Sequence, residues 1–200
     1  MWIPTKRSSH KGAKARRVHE GNGGAFDFQP QTSNLKLLMP DIFDACRRGD
    51  LAAVEQLYAD DPQVIHSSDF RGFTPLILAV YNDQPIVADF LLQHGAHPDA
   101  QDAAGNSALM GVSFKGYKEL ALRLLDAGAD VNLRNVNGAT ALTFAATFGH
   151  LQIAEWLLQG GADMTLRDSR GKSPIDHAVA QDNEAMIDLF QRYAPPQANA

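Results

Sequence analysis

Apolar positions along the body of the chain fall into short stretches that come in pairs, and the pairs repeat. One set reads TPLILAVY from Thr74, SALMGVSF from Ser107, TALTFAAT from Thr140 and SPIDHAVA from Ser173. A second set follows: IVADFLL from Ile86, ELALRLL from Glu119, QIAEWLL from Gln152 and AMIDLF from Ala185. In the second set apolar residues recur at i, i+3 and i+4, as in Ile153, Trp156 and Leu157, which predicts an amphipathic helix. In the first set Leu76, Leu109, Leu142 and Ile175 open a buried face. Three residues on, Ala79, Val112, Ala145 and Ala178 are small enough for another helix to pack closely.

Polar residues punctuate the same register. Gly72, Gly105, Gly138 and Gly171 are spaced by 33 residues. Three residues before each stands Asp69, Asp102, Asn135 or Asp168, and this Asx-x-x-Gly pattern is turn chemistry. Two residues after each glycine stands Thr74, Ser107, Thr140 or Ser173, whose hydroxyl suits a helix N-cap. Pro75 and Pro174 follow at the first helical position, where a missing N–H costs nothing. Gly95, Gly128 and Gly161 suit the left-handed residue after a second helix. Each unit therefore reads turn, helix, turn, helix. A partial unit precedes them in DIFDACRRGDLAAVEQL, without the leading turn. At the other end Pro195 and Pro196 stop the last helix, whose polar Asp182, Asn183, Glu184, Asp188, Gln191 and Arg192 suit an outer cap. One such pair cannot bury its own apolar face, so five must stack.

These residues resemble the ankyrin repeat family: GFTPLILAV (72–80) and GATALTFAATFGHLQIAEWLLQGGAD (138–163) are close to its pattern. In length and in the near absence of other domains the chain is similar to stand-alone ankyrin proteins common in bacteria. The resemblance implies an all-α solenoid of helix-turn-helix units joined by short β-hairpin-like turns. The expected organisation is a basic, disordered or non-native leader over 1–38, an ankyrin domain over 39–194 and a tail over 195–200. The repeats would span about 39–68, 69–101, 102–134, 135–167 and 168–194. Asp83-Gln84-Pro85 and Asp182-Asn183 depart from the family's mid-repeat Gly-His. Gly111 interrupts a first helix at ~1 kcal/mol against alanine, making that helix the expected soft point of the stack.

Composition narrows the class. With 44% hydrophobic and 20% charged residues in 200, the chain has the make-up of a globular protein. Pro75 to Tyr81, among its longest apolar runs, is far below the ~20 residues that cross a bilayer. The N-terminus has cations but no apolar run after them, which argues against a secretory signal. One cysteine fits a reducing compartment, and the expected location is the cytoplasm.

The net charge of −5 hides an asymmetry. Residues 1–40 hold seven basic and two acidic side chains, and residues 41–200 hold 11 basic and 21 acidic. The basic arm suggests nucleic acid or an anionic surface, with the repeats as effector platform, or else an acidic protein or an organellar transit peptide. The acidic body suggests a partner presenting basic residues around an apolar anchor.

Enzyme signals are weak. No phosphate loop of Walker type, G-x-S-x-G, H-E-x-x-H or paired C-x-x-C occurs. His94, His97 and Asp99 could be drawn as a metal site, but they flank a turn glycine, so no metal or cofactor is expected. His177 has no evident nucleophile near it in sequence. Cys46 beside Arg47 and Arg48 could be a reactive thiol or simply a small semi-buried residue. Trp156 is expected in the core, and the resemblance implies that His150 is structural, bonded to loop backbone.

The resemblance also implies that partners bind the turn tips and the exposed flank of the first helices. There stand Phe70, Arg71, Phe73, Tyr81, Phe114, Lys115, Phe148, Arg170 and Lys172. Five aromatics at positions the fold leaves free suggest an anchoring groove, with a cationic end at Arg170 and Lys172. The expectation is a monomeric, non-enzymatic module for an unidentified protein partner, without a small-molecule substrate or nucleic acid.

Overall fold

The computed structural model describes residues 41–194. The basic arm over 1–38, and with it the nucleic-acid reading, lies outside the described residues, as does the tail from 195.

Among the described residues the chain forms five helix pairs: α1 (Ile42–Arg48) with α2 (Leu51–Asp60), α3 (Pro75–Tyr81) with α4 (Pro85–Gln93), α5 (Ala108–Lys115) with α6 (Lys118–Asp126), α7 (Ala141–Phe148) with α8 (Leu151–Gln159), and α9 (Pro174–Ala180) with α10 (Glu184–Tyr193). The longer link after α2 contains one turn of 3₁₀ helix, Pro62–His66. None of these helices is long and apolar enough to cross a membrane.

Caps set the start of each first helix. The hydroxyls of Thr74, Ser107, Thr140 and Ser173 accept from the amides of Ile77, Met110, Thr143 and Asp176. Each such cap contributes on the order of 1 kcal/mol. Thr140–Thr143 and Ser173–Asp176 close reciprocal capping boxes. The first helices then pack on one another in a row. Ala45, Ala79, Val112, Ala145 and Ala178 are fully buried, so small side chains let the helices approach. The second helices lay Val54, Val87, Ala88, Leu91, Leu120, Leu124, Ile153, Leu157, Met186 and Leu189 against that row, giving one continuous core. Trp156 packs against this core while partly exposed.

The turns between units are built identically. The Asp69, Asp102, Asn135 and Asp168 side chains each accept two amides of their own turn, such as those of Arg71 and Phe73 at Asp69. Successive turn tips are joined by one backbone hydrogen bond each: Ala103 N–H to Arg71 C=O, Val136 to Ala104, and Ser169 to Asn137. Gln101 and Ser107 make a single antiparallel bridge, and no strand forms among the described residues.

Between the two helices of each unit the chain turns through a left-handed residue. Gly49, Gly116 and Gly149 supply it in three units, and Asp83 and Asp182 occupy it in the other two at φ 56° and 51°. His150 packs on Gly116, and its Nε2 lies 3.1 Å from the Phe114 carbonyl oxygen. The histidine thus ties one unit to its neighbour, as the resemblance implied.

Candidate functional site

The register of 33 residues places equivalent side chains in rows across the face made by the first helices and turn tips. Tyr81, Phe114 and Thr147 form one row, and Asn82, Lys115 and Phe148 the next. Phe114 is half-buried at the centre of this face. Its ring lies parallel to Tyr81 at 6.4 Å between centroids, and meets Phe148 edge-on at 4.6 Å and Phe144 edge-on at 6.4 Å. Tyr81 and Phe148 remain 44% and 48% exposed. The three aromatics expected on the helix flank thus form one connected cluster across α3, α5 and α7.

Chain cations sit on these rings. The Lys115 ammonium lies 4.5 Å from the Tyr81 centroid and 5.9 Å from that of Phe114. The Arg71 guanidinium lies 5.3 Å from Phe70 and 5.1 Å from Phe73. Phe73 packs against the core, whereas Phe70 is 93% exposed at the turn tip.

A row that sequence reasoning did not single out forms the floor. Leu78, Gly111, Phe144 and His177 are equivalent positions on successive first helices. The missing side chain at Gly111 opens a hollow of about 290 Å³ lined by Phe73, Ile77, Tyr81, Met110, Phe114 and Phe144 among others. The helix runs unbroken through Gly111. A Cβ built there would meet only the Tyr81 ring, at 3.5 Å, which is ordinary contact. Neither backbone conformation nor crowding therefore requires glycine. The signal in the sequence was the register itself, in which a glycine stands between Leu78 and Phe144.

Phe144 also borders a second, more polar hollow of about 430 Å³ with Thr143, Thr147, Phe148, Asp168, Arg170 and His177. Here Asp168 is 4% exposed at its side chain and accepts from the amides of Arg170 and Lys172. Its other oxygen lies 2.9 Å from His177 Nε2 and 3.6 Å from Arg170 Nε. Burial pushes the Asp168 carboxyl up, but the two amides and His177 together outweigh it and hold the group below the usual carboxylate range. His177, left open by its sequence, is thus placed at the groove beside a carboxylate. Arg170 lines this hollow; Lys172, expected beside it, is exposed two residues on in the same turn.

The remaining candidates resolve differently. Cys46 is fully buried rather than semi-buried, and burial pushes its thiol up to about 12 against the smaller opposing pull of Arg47. The reactive-thiol reading is therefore withdrawn. The His94 ring stacks on Phe90 at 4.0 Å and meets Tyr58 at 4.7 Å, with Nδ1 2.7 Å from the Phe90 carbonyl oxygen. His97 instead faces His66, 5.8 Å between ring centroids.

Stacked helix pairs presenting a row of turn tips and first helices define a repeat solenoid. A family model described as ankyrin repeats (3 copies) matches residues 42–135 and again 109–199. The chain belongs to the ankyrin repeat family, whose repeats are generally protein–protein interaction modules and typically non-enzymatic. It is 37% identical over 93 residues to the rat ankyrin repeat and SAM domain-containing protein 6, covering 46% of this chain and 10% of that protein. It is 36% identical over 82 residues to the putative ankyrin repeat protein YahD of Escherichia coli (strain K12), covering 38% of this chain and 41% of that one. With the mouse ankyrin repeat family A protein 2 it shares 40% identity over 60 residues, 30% of this chain and 19% of the other. The chain thus spans less than half the length of each of these curated relatives.

Proposed function

We propose that the protein is a non-enzymatic, monomeric, cytoplasmic binding module that seats a protein partner on the aromatic face of α3, α5 and α7. Tyr81, Phe114 and Phe148 are the anchors, with Phe70, Arg71, Phe73, Lys115, Arg170 and Lys172 around them. The observation that carries this reading is the connected, half-exposed cluster around Phe114. Keeping aromatic surface in water is unfavourable, and fully buried core positions were available one helical turn away. Large rings beside an open hollow supply the kind of desolvated centre from which most interface energy comes.

The test is capture of binding proteins from source-cell lysate on the full chain and on its Tyr81→Asp, Phe148→Asp double variant. These two rings are the exposed ones, so the substitutions spare the half-buried Phe114, and unchanged far-UV circular dichroism checks the fold. A protein held by the parent chain and released by the variant supports the groove. Equal retention by both removes it.

A further inference from the structure

The overall charge of the domain points away from the charge of its groove. Of the carboxylates at the groove, Asp69 and Asp168 are nearly buried, at 8% and 4% side-chain exposure, and each accepts two turn amides. Asp102, at the rim of the hollow, accepts the amides of Ala104 and Asn106 and the Asn106 side-chain amide. These carboxylates are turned inward and spent on the turns. The cations face outward: Arg71, Lys115 and Lys172 are exposed and make no ion pair among the described residues, and the Arg170 side chain is 78% exposed. Other exposed acids lie away from the hollow: Asp60 ends α2, Asp61, Asp99, Asp130 and Asp163 follow the second helices, and Asp83 and Asp182 stand in the turns between paired helices. At physiological salt a field from those groups is screened within ~8 Å, so the side chains facing the partner decide its chemistry.

The hollow adds an apolar requirement, since its floor and walls are Gly111, Met110, Ile77 and aromatic rings. Lys115 already sits over the Tyr81 ring and Arg71 over that of Phe73, so an incoming cation would meet like charge at these two rings.

We propose that the occupant is an acidic protein segment. It inserts one bulky apolar side chain into the hollow over Gly111 and sets carboxylates against Arg71 and Lys115. This rests on the groove reading above and replaces the basic partner that net charge alone suggests.

The experiment is selection from a phage-displayed library of random short peptides on the full-length protein, with Gly111→Leu as the counter-bait. Leucine occupies the equivalent position at Leu78, so that variant fills the hollow with a side chain the fold accepts one unit earlier. Peptides that carry Asp or Glu beside a large apolar residue, and that lose affinity on Gly111→Leu, support the proposal. For these, Arg71→Glu with Lys115→Glu should weaken binding about tenfold, as expected for reversing two rim charges. Peptides lost on Gly111→Leu but enriched in Lys or Arg, or with no charge bias, overturn the acidic occupant and leave the groove standing. Peptides indifferent both to Gly111→Leu and to the Tyr81→Asp, Phe148→Asp pair overturn both. No enrichment over the counter-bait, or self-association of the protein abolished by Gly111→Leu, also overturns the acidic occupant.

Discussion

Replacing Gly111 by alanine separates what the fold needs from what the groove needs. A glycine inside a helix is ~1 kcal/mol less favourable than alanine, because the unfolded chain gains freedom that the helix must then remove. The added Cβ would touch the Tyr81 ring at 3.5 Å and nothing else outside its own helix, so no clash offsets that gain. Contact with the ring adds a few tenths of a kcal/mol at most, since the hollow is open to solvent. Gly111→Ala should therefore stabilise the domain by about 1 kcal/mol, a rise of roughly 2–4 °C in Tm for a domain of this size. Urea unfolding followed by far-UV circular dichroism is the assay, and the midpoint should rise with an unchanged slope. A lower midpoint would refute the reasoning, because it would mean that Tyr81 or its neighbours need the space and that the hollow is structural. Gly111→Leu extends the same series by placing a larger side chain in the hollow.

Other positions make similarly direct predictions. Asp83→Gly and Asp182→Gly should each stabilise by about 0.5 kcal/mol, the relief of a left-handed conformation less the added freedom of the unfolded chain; lower thermal midpoints would count against this. Ser113 has a fully buried hydroxyl without a partner among the described residues where the next unit has Ala146, so Ser113→Ala should raise the urea midpoint by about 1 kcal/mol equivalent, and a loss would reveal a bond to that oxygen. Cys46 should resist iodoacetamide at neutral pH in the folded protein and react once urea unfolds it, as mass spectrometry would show; rapid labelling of the native state would contradict its burial. Acid sensitivity follows from Asp168, Asp176 and Asp163, the last two held below the usual range chiefly by the Ser173 amide and the Thr165 hydroxyl. Folded acids stronger than unfolded ones contribute stability above pH ~4 that is lost as pH falls through their folded values. Asp168→Asn should keep its turn, as Asn135 does, so the gap in urea midpoint between parent and variant should narrow below that pH; a constant gap rejects this role.

Much of the fold was legible because the repeat makes four residue types do the same jobs in three or four successive units. Asx at the turn, Ser or Thr at the cap, a small residue at the helix contact and glycine after the second helix are local choices with local causes. The hidden features depend on what a neighbouring unit does. Gly111 in its own sequence is a helix defect; only beside Tyr81, Phe114 and Phe144 is it the floor of a hollow. Cys46 beside two arginines left a reactive thiol open, yet burial dominates its titration, and burial is set by how helices stack. Net charge is blind to stacking in the same way, because composition counts a carboxylate spent inside a turn equally with one in water.

That difference also explains how one face can evolve separately from the stack. The carboxylates of Asp69, Asp102 and Asp168 are fixed by the amides they accept, so they cannot be traded for binding without opening a turn. The exposed residues between and beyond them, Phe70, Arg71, Lys115 and Arg170, carry no such duty, and their side chains are free to vary at little cost to the fold. Gly111 lies between these cases: improving it as a helix residue closes the hollow. At this one site, which has room for a methyl group, the ~1 kcal/mol by which alanine suits a helix better than glycine and the openness of the hollow pull in opposite directions.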